Sequence, residues 1–421
     1  MPPRSGSGLN HAPRGIGDRV SRIVAADRRA AACPFGRLPS DSWRWDHDRV
    51  TPFHIDVPEA VLDDLRARLS RTRLAPAAPG EPWAAGTDPG YLADLVRYWL
   101  DGFDWRAVER ALNRYPQFVT TVRGTPIHFV HVRSASPDAT ALILTHGWPS
   151  TYTEMLPLVS RLADFDLVIP SLPGFVFSGP LAEGPTTEAA VADVWAELMT
   201  RLGYDRFGAY GGDVGSGVST WLGARHADRV IGVFSQHIKF PPADRRGDLS
   251  PAEEAFIAKL DAKAQDDWGY GIIQETRPDT LAAALSDSPS GLAAWVIEKY
   301  QRWSDCGGDI SRRFGFDELL TTVMLYWVTN CIGTSFRPYR DDHLAPHLPM
   351  VTVPAGITVS VEDAGLPRSF AERTYANLTH WREPSVGGHF LAQEEPDLLA
   401  ADLRAFFSAL RCSRSPTGDV V

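Results

Sequence analysis

One aspartate in a glycine-rich turn is the residue of this 421-residue chain best placed to do chemistry. Asp213 lies in the run GGDVGS (211–216), between a short apolar segment, RFGAY, and a segment with a helical pattern, VGSGVSTWLGARH. This is the context of a nucleophile elbow, G-x-Nu-x-G, where small neighbours let a tight strand-to-helix turn expose the nucleophile. The alternative is a common glycine turn with a helix-capping aspartate.

The type of this residue indicates the class of reaction. Serine must be deprotonated before it attacks, whereas an aspartate with an ordinary pKa of about 3.9 is already anionic at neutral pH. A carboxylate attacks amides poorly, but it can open a strained ring or displace halide at a saturated carbon. Asp213 therefore predicts an alkyl ester formed on the enzyme.

Backbone amides near this turn are expected to form an oxyanion hole. The motif HGWPS (146–150) directly follows the apolar run ALILT. In folds that contain a nucleophile elbow, the loop at this position supplies one amide and the residue after the nucleophile supplies the other. We expect the N–H groups of Trp148 and Val214 to stabilise the intermediate formed when water attacks the Asp213 ester. The side chain of His146 is expected to be structural.

A histidine late in the chain is the candidate general base. His389 lies in GGHF, ahead of the last predicted helix, and the chain order nucleophile, acid, histidine fits this fold. The acid that orients it should follow the strand-like run ITVSV, where Glu362 and Asp363 are adjacent. One of the two should bond the imidazole while the other is solvated. We favour Asp363, with Glu362 as the second choice.

The elements that must position these residues alternate along the chain. Apolar runs separated by amphipathic helices are typical of a mostly parallel sheet covered on both faces. Strands are predicted at 118–122, 126–132, 141–145, 165–170, 206–210, 230–235, 357–361 and 378–381, and helices at 153–162, 186–202, 214–227 and 396–410.

Five segments are predicted. Residues 1–50, rich in Gly, Pro, Ser and Arg, offer little to bury and should be a flexible leader. Residues 51–116 contain three helical patterns and form an N-terminal domain. The first part of the core spans 117–239, and its second part spans 346–421. Between them, residues 240–345 are helical, aromatic and proline-punctuated, which indicates a lid over the strand ends.

Composition excludes several classes of protein. A net charge of −10 argues against nucleic acid and anionic membrane surfaces, which reward clustered positive charge. The four cysteines are scattered without CxxC spacing, which favours reduced thiols over a disulfide framework or a zinc site: Cys33, Cys306, Cys331 and Cys412. Without a bilayer-length apolar run or a signal-like N-terminus, we expect a cytoplasmic enzyme, monomeric or homodimeric, without metal or organic cofactor.

Several motifs carry a family resemblance. HGWPS, IPSLPGFVFS, GGDVGS and GGHFLAQEEPDLLA follow one another as in the microsomal-type epoxide hydrolases, which the chain resembles from about Thr51 to Leu410. The segment TPFHIDVPEAVLDDLRARLSRTRL resembles the start of that family's N-terminal domain, which wraps the lid and core. The resemblance implies an α/β-hydrolase fold and hydrolysis of an epoxide by Asp213 and His389. It further implies roles in detoxification and aromatic hydrocarbon catabolism, with no N-terminal apolar anchor expected here.

The resemblance also assigns two lid tyrosines. Tyr270 and Tyr339 fall where the family keeps its epoxide-activating phenols. A departing alkoxide needs a proton donor, and a phenol with a pKa near 10 stays protonated at neutral pH yet yields its proton to a strong base. The alternative for any one tyrosine is simple packing.

Two positions depart from the family pattern. Ser360-Val361 stand where many members have Phe-Pro, which leaves room for Glu362 as the acid, and Val214 stands where some members carry Trp. Around the site, large aromatic residues suggest an apolar pocket and hence a hydrophobic epoxide: Trp148, Phe175, Trp268, Trp303 and Phe336.

Two other functions share these features. A haloalkane or haloacid dehalogenase would use the same aspartate and histidine, but halide needs N–H donors, often from a Trp beside the nucleophile, and Val214 occupies that position. A non-catalytic small-molecule receptor would keep the pocket and lose the catalytic residues, whereas this sequence retains all of them.

Overall fold

The computed structural model describes residues 49–412, so the leader predicted for residues 1–50 lies outside the described chain except for its last two residues. The centre of the fold is a nine-stranded sheet in the order β1-β2-β3-β5-β4-β6-β7-β8-β9. Its strands are β1 Thr51–Pro52, β2 Gln117–Val122, β3 Thr125–Val132, β4 Thr140–Thr145, β5 Phe165–Pro170, β6 Phe207–Gly211, β7 Val230–Ser235, β8 Ala355–Thr358 and β9 Leu378–Arg382.

Strands β4 to β9 pair in parallel, whereas β1, β2 and β3 add antiparallel strands at one edge. The predicted mostly parallel sheet is therefore confirmed. The predicted hairpin forms β2 and β3, and its two turn residues, Arg123 and Gly124, have φ of 48° and 73°. Positive φ at both positions matches the twist that a two-residue hairpin requires.

The helices, in chain order, are α1 Glu59–Leu69, α2 Pro89–Asp101, α3 Trp105–Leu112, α4 Glu188–Arg201, α5 Val214–Arg225, α6 Pro251–Asp267, α7 Gly269–Thr276, α8 Pro278–Leu285, α9 Pro289–Trp303, α10 Phe316–Thr329, α11 Ile332–Ser335, α12 Arg337–Asp341, α13 Arg368–Glu372, α14 Leu391–Glu394 and α15 Pro396–Cys412. Between β7 and β8 the described chain contains helices α6 to α12 and no strand, and this helical segment is called the lid below.

Two local predictions were wrong. The helix predicted at 153–162 is a 3-10 helix, Tyr152–Leu158, and it contains Pro157, which cannot donate the hydrogen bond of a regular helix. The strand predicted at 357–361 ends at Thr358, and the chain then turns into a 3-10 helix, Val361–Asp363. The two adjacent acidic residues therefore lie within this 3-10 helix and not directly at a strand end.

The N-terminal helices contact the lid. The guanidinium of Arg68 on α1 pairs with Asp287, 2.6 Å away, and the hydroxyl of Tyr98 on α2 donates to Asp317 at 2.8 Å. The buried carboxylate of Glu109 on α3 accepts the backbone N–H of Val57 at 2.8 Å, which holds the entering chain against this helical layer. The first two of these contacts attach α1 and α2 to the lid.

The lid is also attached to the second half of the core. Glu253 on α6 is buried and accepts hydrogen bonds from Arg373 and Ser369, each at 3.0 Å. Lys263, further along α6, pairs with Glu362. No single helix of the described chain is long and apolar enough to cross a membrane; one sharply bent pair, Phe316–Thr329 with Ile332–Leu344, meets that criterion by length and composition alone.

Candidate active site

The chain reverses sharply at Asp213, between β6 and α5. Asp213 has φ 51° and ψ −124°, a conformation that costs roughly 1–3 kcal/mol for a residue other than glycine and that clusters at functional sites. A side chain at Gly215 would lie 2.0 Å from the carbonyl oxygen of Thr145, and one at Gly211 would lie 2.1 Å from Gly215. The glycines on both sides of Asp213 are therefore required by close packing, as in a nucleophile elbow.

The loop after β4 brings a backbone donor to the Asp213 carboxylate. The N–H of Trp148 donates to Oδ1 at 2.8 Å, and a Cβ on Gly147 would lie 2.4 Å from the Cβ of Asp213. The peptide between Trp148 and Pro149 is cis. Val214 is the first residue of α5, so its N–H belongs to the first helical turn, where amides lack partners within the helix.

His389 lies against the other carboxylate oxygen. Its Nε2 is 3.7 Å from Asp213 Oδ2, and its Nδ1–H donates to Glu362 Oε2 at 3.0 Å. The backbone N–H of His389 donates to the carbonyl of Trp303 at 2.9 Å, so the lid helps to hold the histidine loop. Glu362 is thus hydrogen-bonded to His389, and His389 in turn lies just beyond hydrogen-bond distance of Asp213.

The carboxylate on the imidazole is Glu362, which corrects the expectation of Asp363. The early end of β8 and the 3-10 turn that follows direct Glu362 toward His389 and leave Asp363 beside it without that bond. Burial opposes the charge of both residues. The positive charges of His389 and Lys263 nevertheless lower the pKa of Glu362, whereas burial and the neighbouring Glu362 raise the pKa of Asp363 to about 6.

The electrostatics of His389 depend on the charge of its neighbours. Burial alone would lower its pKa, but the negative charges of Glu362 and Asp213 raise the pKa to about 9. In the resting site the imidazole is therefore largely a cation between two anions. Conversion of Asp213 into a neutral ester would remove one of these anions and lower the pKa of His389, which would turn the imidazole into a base.

The two lid tyrosines come together beside the ring of Trp148, whose N–H bonds Asp213. The rings of Tyr270 on α7 and Tyr339 on α12 meet edge to face, with their centroids 5.9 Å apart. Burial raises the pKa of both phenols well above the usual value, and the negative charge of Asp213 raises it further. Both hydroxyls are therefore held protonated within electrostatic reach of the carboxylate.

Trp148 forms the centre of the aromatic wall. Its ring stacks on Tyr270 at 5.4 Å with an interplanar angle of 7° and meets Tyr339 at 5.8 Å. Among the predicted pocket residues, Trp303 and Phe336 also contact it, each at 6.2 Å, and Trp303 contacts His389 at 4.8 Å.

The other two predicted pocket residues lie further out. Phe175 packs on His146 at 5.3 Å and on Tyr326 at 6.4 Å. Trp268 contacts both lid tyrosines but is 37% exposed, so it stands at the rim of the site.

Two residues of the site were missed in the sequence. His237, two positions after β7, accepts the N–H of Asp213 at 2.9 Å through Nδ1, and burial together with the charge of His389 lowers its pKa to about 3. The position of His237 beyond the carboxyl end of a parallel strand was the sequence feature that could have identified it.

Glu154 is the second residue that was missed. It is buried beneath the Trp148 loop, accepts a hydrogen bond from Ser150, and has its pKa raised to about 7 by burial.

His146 makes structural hydrogen bonds through both ring nitrogens. Nε2 of His146 accepts the N–H of Leu172 at 3.1 Å, and Nδ1–H donates to the carbonyl of Gly147 at 2.9 Å, which fits the structural role expected for this side chain. Ligand atoms of His237, Glu362 and His389 lie within 4.8 Å of one another, a spacing compatible with a metal ion. Nδ1 of His237 is already hydrogen-bonded to the N–H of Asp213, and Nδ1 of His389 to Glu362.

Comparison with known proteins places this geometry in context. Residues 50–155 match the family model "Epoxide hydrolase N terminus", and residues 140–292 match the model "alpha/beta hydrolase fold". The chain is 39% identical to a Stigmatella aurantiaca protein assigned as an epoxide hydrolase, over 86% of both chains. The Aspergillus niger epoxide hydrolase structure is 32% identical, covers 86% of this chain and 97% of its own, and superposes with a TM-score of 0.76. The Bombyx mori juvenile hormone epoxide hydrolase structure is 27% identical with a TM-score of 0.81, over 87% and 95% of the two chains.

Proposed function

The chain belongs to the epoxide hydrolase family of the α/β-hydrolase fold and is an epoxide hydrolase, and we propose that it acts through a covalent ester on Asp213 with two lid phenols as acids. The observation that carries this mechanism is the convergence of Asp213, Tyr270 and Tyr339 around the ring of Trp148. An anionic nucleophile faces two neutral acids there, and this is what the opening of a three-membered ether needs.

In the first step a carboxylate oxygen of Asp213 attacks a ring carbon and forms a new C–O bond. The ring C–O bond breaks, and the epoxide oxygen takes a proton from Tyr270 or Tyr339 as its negative charge develops. Both phenols remain neutral at physiological pH because burial raises their pKa. The product of this step is a hydroxyalkyl ester of Asp213.

In the second step water attacks the carbonyl carbon of that ester. His389 accepts the proton of the water while Glu362 holds the imidazole by its Nδ1–H, 3.0 Å away. The N–H of Trp148, which donates to Asp213 Oδ1, and the N–H of Val214 are suited to the negative charge of the tetrahedral intermediate. Collapse of this intermediate expels the alkoxide, which takes the proton held by His389 and leaves as a vicinal diol. The proton of the new Asp213 carboxyl group returns to the tyrosine phenolate, which restores both the carboxylate and the phenol.

The lining of the site favours a hydrophobic epoxide. Trp148, Trp303 and Phe336 are buried, and Trp268 lies at the rim. We propose aryl and alkyl epoxides as the substrate class, and a role in detoxification or aromatic hydrocarbon catabolism. No organic cofactor enters either step.

A single-turnover experiment in water labelled with ¹⁸O tests the ester. Excess enzyme is mixed with styrene oxide, and the site peptide is examined by mass spectrometry. We expect the label in the carboxylate of Asp213 and not in the diol, because water attacks the ester carbonyl. Label in the diol after a single turnover would contradict the ester mechanism.

A matched pair of variants separates the nucleophile from its neighbourhood. Asp213→Ala should abolish diol formation, and Asp213→Asn should do so while preserving the shape of the turn. Haloalkanes serve as a control substrate: halide release without diol formation from epoxides would assign the carboxylate to dehalogenation instead.

A further inference from the structure

A buried lysine lies against the face of one lid phenol. The ammonium of Lys299, on α9, is 4.4 Å from the ring centroid of Tyr270 and 5.4 Å from that of Trp303. Its side chain is only 6% exposed. Lysine is rarely buried this deeply without a specific arrangement around its charge.

Two carboxylates pair with this cation. Nζ is 3.0 Å from Asp267 Oδ1 and 2.6 Å from Glu298 Oε2. The second oxygen of Asp267 accepts the indole N–H of Trp303 at 2.6 Å. The cluster therefore fixes the ammonium in place and joins it to the tryptophan that contacts His389.

A cation over an aromatic face is attracted to the negative centre of the ring. This attraction grows when the phenol loses its proton, because the developing phenolate spreads negative charge into the ring. The ammonium therefore stabilises the transition state of proton donation more than the resting phenol, which is the difference that raises a rate. Asp267 acts in the opposite sense, since its charge raises the pKa of Tyr270.

We propose that Lys299 is a positioning residue that acts through Tyr270 and makes this phenol the principal acid in epoxide opening. The proposal rests on the role of Tyr270 in the ester mechanism. The lysine neither gains nor loses a proton: the proton passes from Tyr270 to the epoxide oxygen as the ring C–O bond breaks and Asp213 bonds to carbon.

The second phenol has no equivalent partner. Within residues 49–412, no lysine or arginine lies over the ring of Tyr339. The ring of Tyr339 instead contacts the rings of Tyr270, Trp148 and Trp268. The pair is thus unequal, with Tyr270 carrying the developing charge and Tyr339 supporting it.

A double-mutant cycle on the alkylation step tests the proposal. Ester formation from styrene oxide is followed by rapid quench under single turnover in the wild type, Lys299→Met, Tyr270→Phe and the double variant. Lys299→Met should slow ester formation about 10- to 30-fold when Tyr270 is present, as expected for loss of a buried cation–π contact, and less than about threefold when it is Phe. Ester hydrolysis should be unchanged.

The outcomes separate the two claims. An equal loss in both backgrounds would overturn the role of Lys299, because the lysine would then act independently of the phenol. Unchanged ester formation in Tyr270→Phe would instead refute the proposed role of Tyr270. A second readout uses ring-substituted styrene oxides: in Lys299→Met the rate should fall more steeply as the leaving alkoxide becomes more basic, and an unchanged slope counts against the proposal.

Control variants address folding. Lys299→Arg keeps the charge and should retain more activity than Lys299→Met. The double variant Lys299→Met with Asp267→Asn avoids an unpaired buried carboxylate and should show the same dependence on Tyr270. Lys239→Met removes another lysine ion pair, to Glu188 at 2.6 Å, and should leave the alkylation rate within about threefold.

Discussion

The core and the lid hold their reactive groups in different ways. In the core, Asp213 is fixed by the backbone: a left-handed turn, glycines in close contact and an N–H from Trp148. In the lid, Tyr270 is fixed by side chains: a stacked indole on one side and a buried ammonium over its face. A short sequence motif determines the backbone geometry at Asp213, whereas the packing around Tyr270 depends on residues far apart in the sequence.

This difference indicates which substitutions should slow ester formation and which should slow ester hydrolysis. Changes in the core should affect the step that returns the carboxylate, because His389 and Glu362 act there. Changes in the lid should affect the step that opens the ring, because the phenols act there. The two steps can be measured separately as formation and decay of the ester.

The largest effect is expected in the core, at the acid on the imidazole. Glu362→Gln should slow ester hydrolysis about 10³-fold and let the ester accumulate, since the imidazole loses the anion that orients and charges it. Asp363→Asn is the matched control and should lower the rate less than tenfold. Ester decay in rapid-quench experiments measures both. A larger loss for Asp363→Asn would reverse the assignment made from the hydrogen bond to His389.

The lid phenols should show the opposite pattern. Tyr270→Phe should slow ester formation about 10²-fold, the usual contribution of a positioned acid, and leave ester decay unchanged. Tyr339→Phe should have a smaller effect on the same step. Burst kinetics with styrene oxide distinguish formation from decay. If either variant slowed only ester decay, the assignment of the lid phenols to the ring-opening step would be wrong.

A change in pH should separate the two states of the core. The pKa of His389 in the resting enzyme is raised to about 9, so ester decay, which needs neutral imidazole, should rise with pH. Its midpoint should lie below about 9, because the ester removes the charge of Asp213. NMR titration of the imidazole should show the same decrease in Asp213→Asn. An equal or higher pKa in that variant would contradict the coupling.

The smallest effect on activity is expected where the lid is attached. Arg373 lowers the pKa of Glu253 to about 2, so this carboxylate stabilises the fold above a pH of about 4.5 and loses that contribution as the pH falls through about 2. Glu253→Gln should lower the free energy of unfolding by about 1–3 kcal/mol at pH 7 in urea titrations. Glu372→Gln breaks an exposed pair with Arg368 and should cost less than about 1 kcal/mol. Equal decreases in the free energy of unfolding for the two variants would show that the buried Glu253–Arg373 pair contributes no more than an exposed ion pair.

The sequence predicts the core site well and the lid less completely. Asp213 and the motif HGWPS could be placed because each directly follows a strand, and the carboxyl ends of parallel strands meet at one edge. Which of Glu362 and Asp363 bonds His389 could not be decided from the sequence. The choice depends on the residue at which β8 ends, and the hydrophobic pattern does not define a strand end to a single residue.

Other features had no local signal. Tyr270 and Tyr339 were identified by resemblance, since nothing in helical periodicity distinguishes a reactive phenol from a packed one. Lys299 lies in an ordinary helical segment, and its position over a ring 29 residues earlier follows only from the packing of α7 and α9. Phe175 was assigned to the pocket by type and packs on His146 instead.

The attachment of the lid to the last part of the chain has a consequence for biosynthesis. Lys263 and Glu253 find their partners, Glu362 and Arg373, 99 and 120 positions later. Until those residues leave the ribosome, the lid lacks both of these attachments, and incompletely packed chains of this kind expose apolar surface that favours aggregation. The nucleophile turn can form early, whereas a competent enzyme exists only after the final segment has docked.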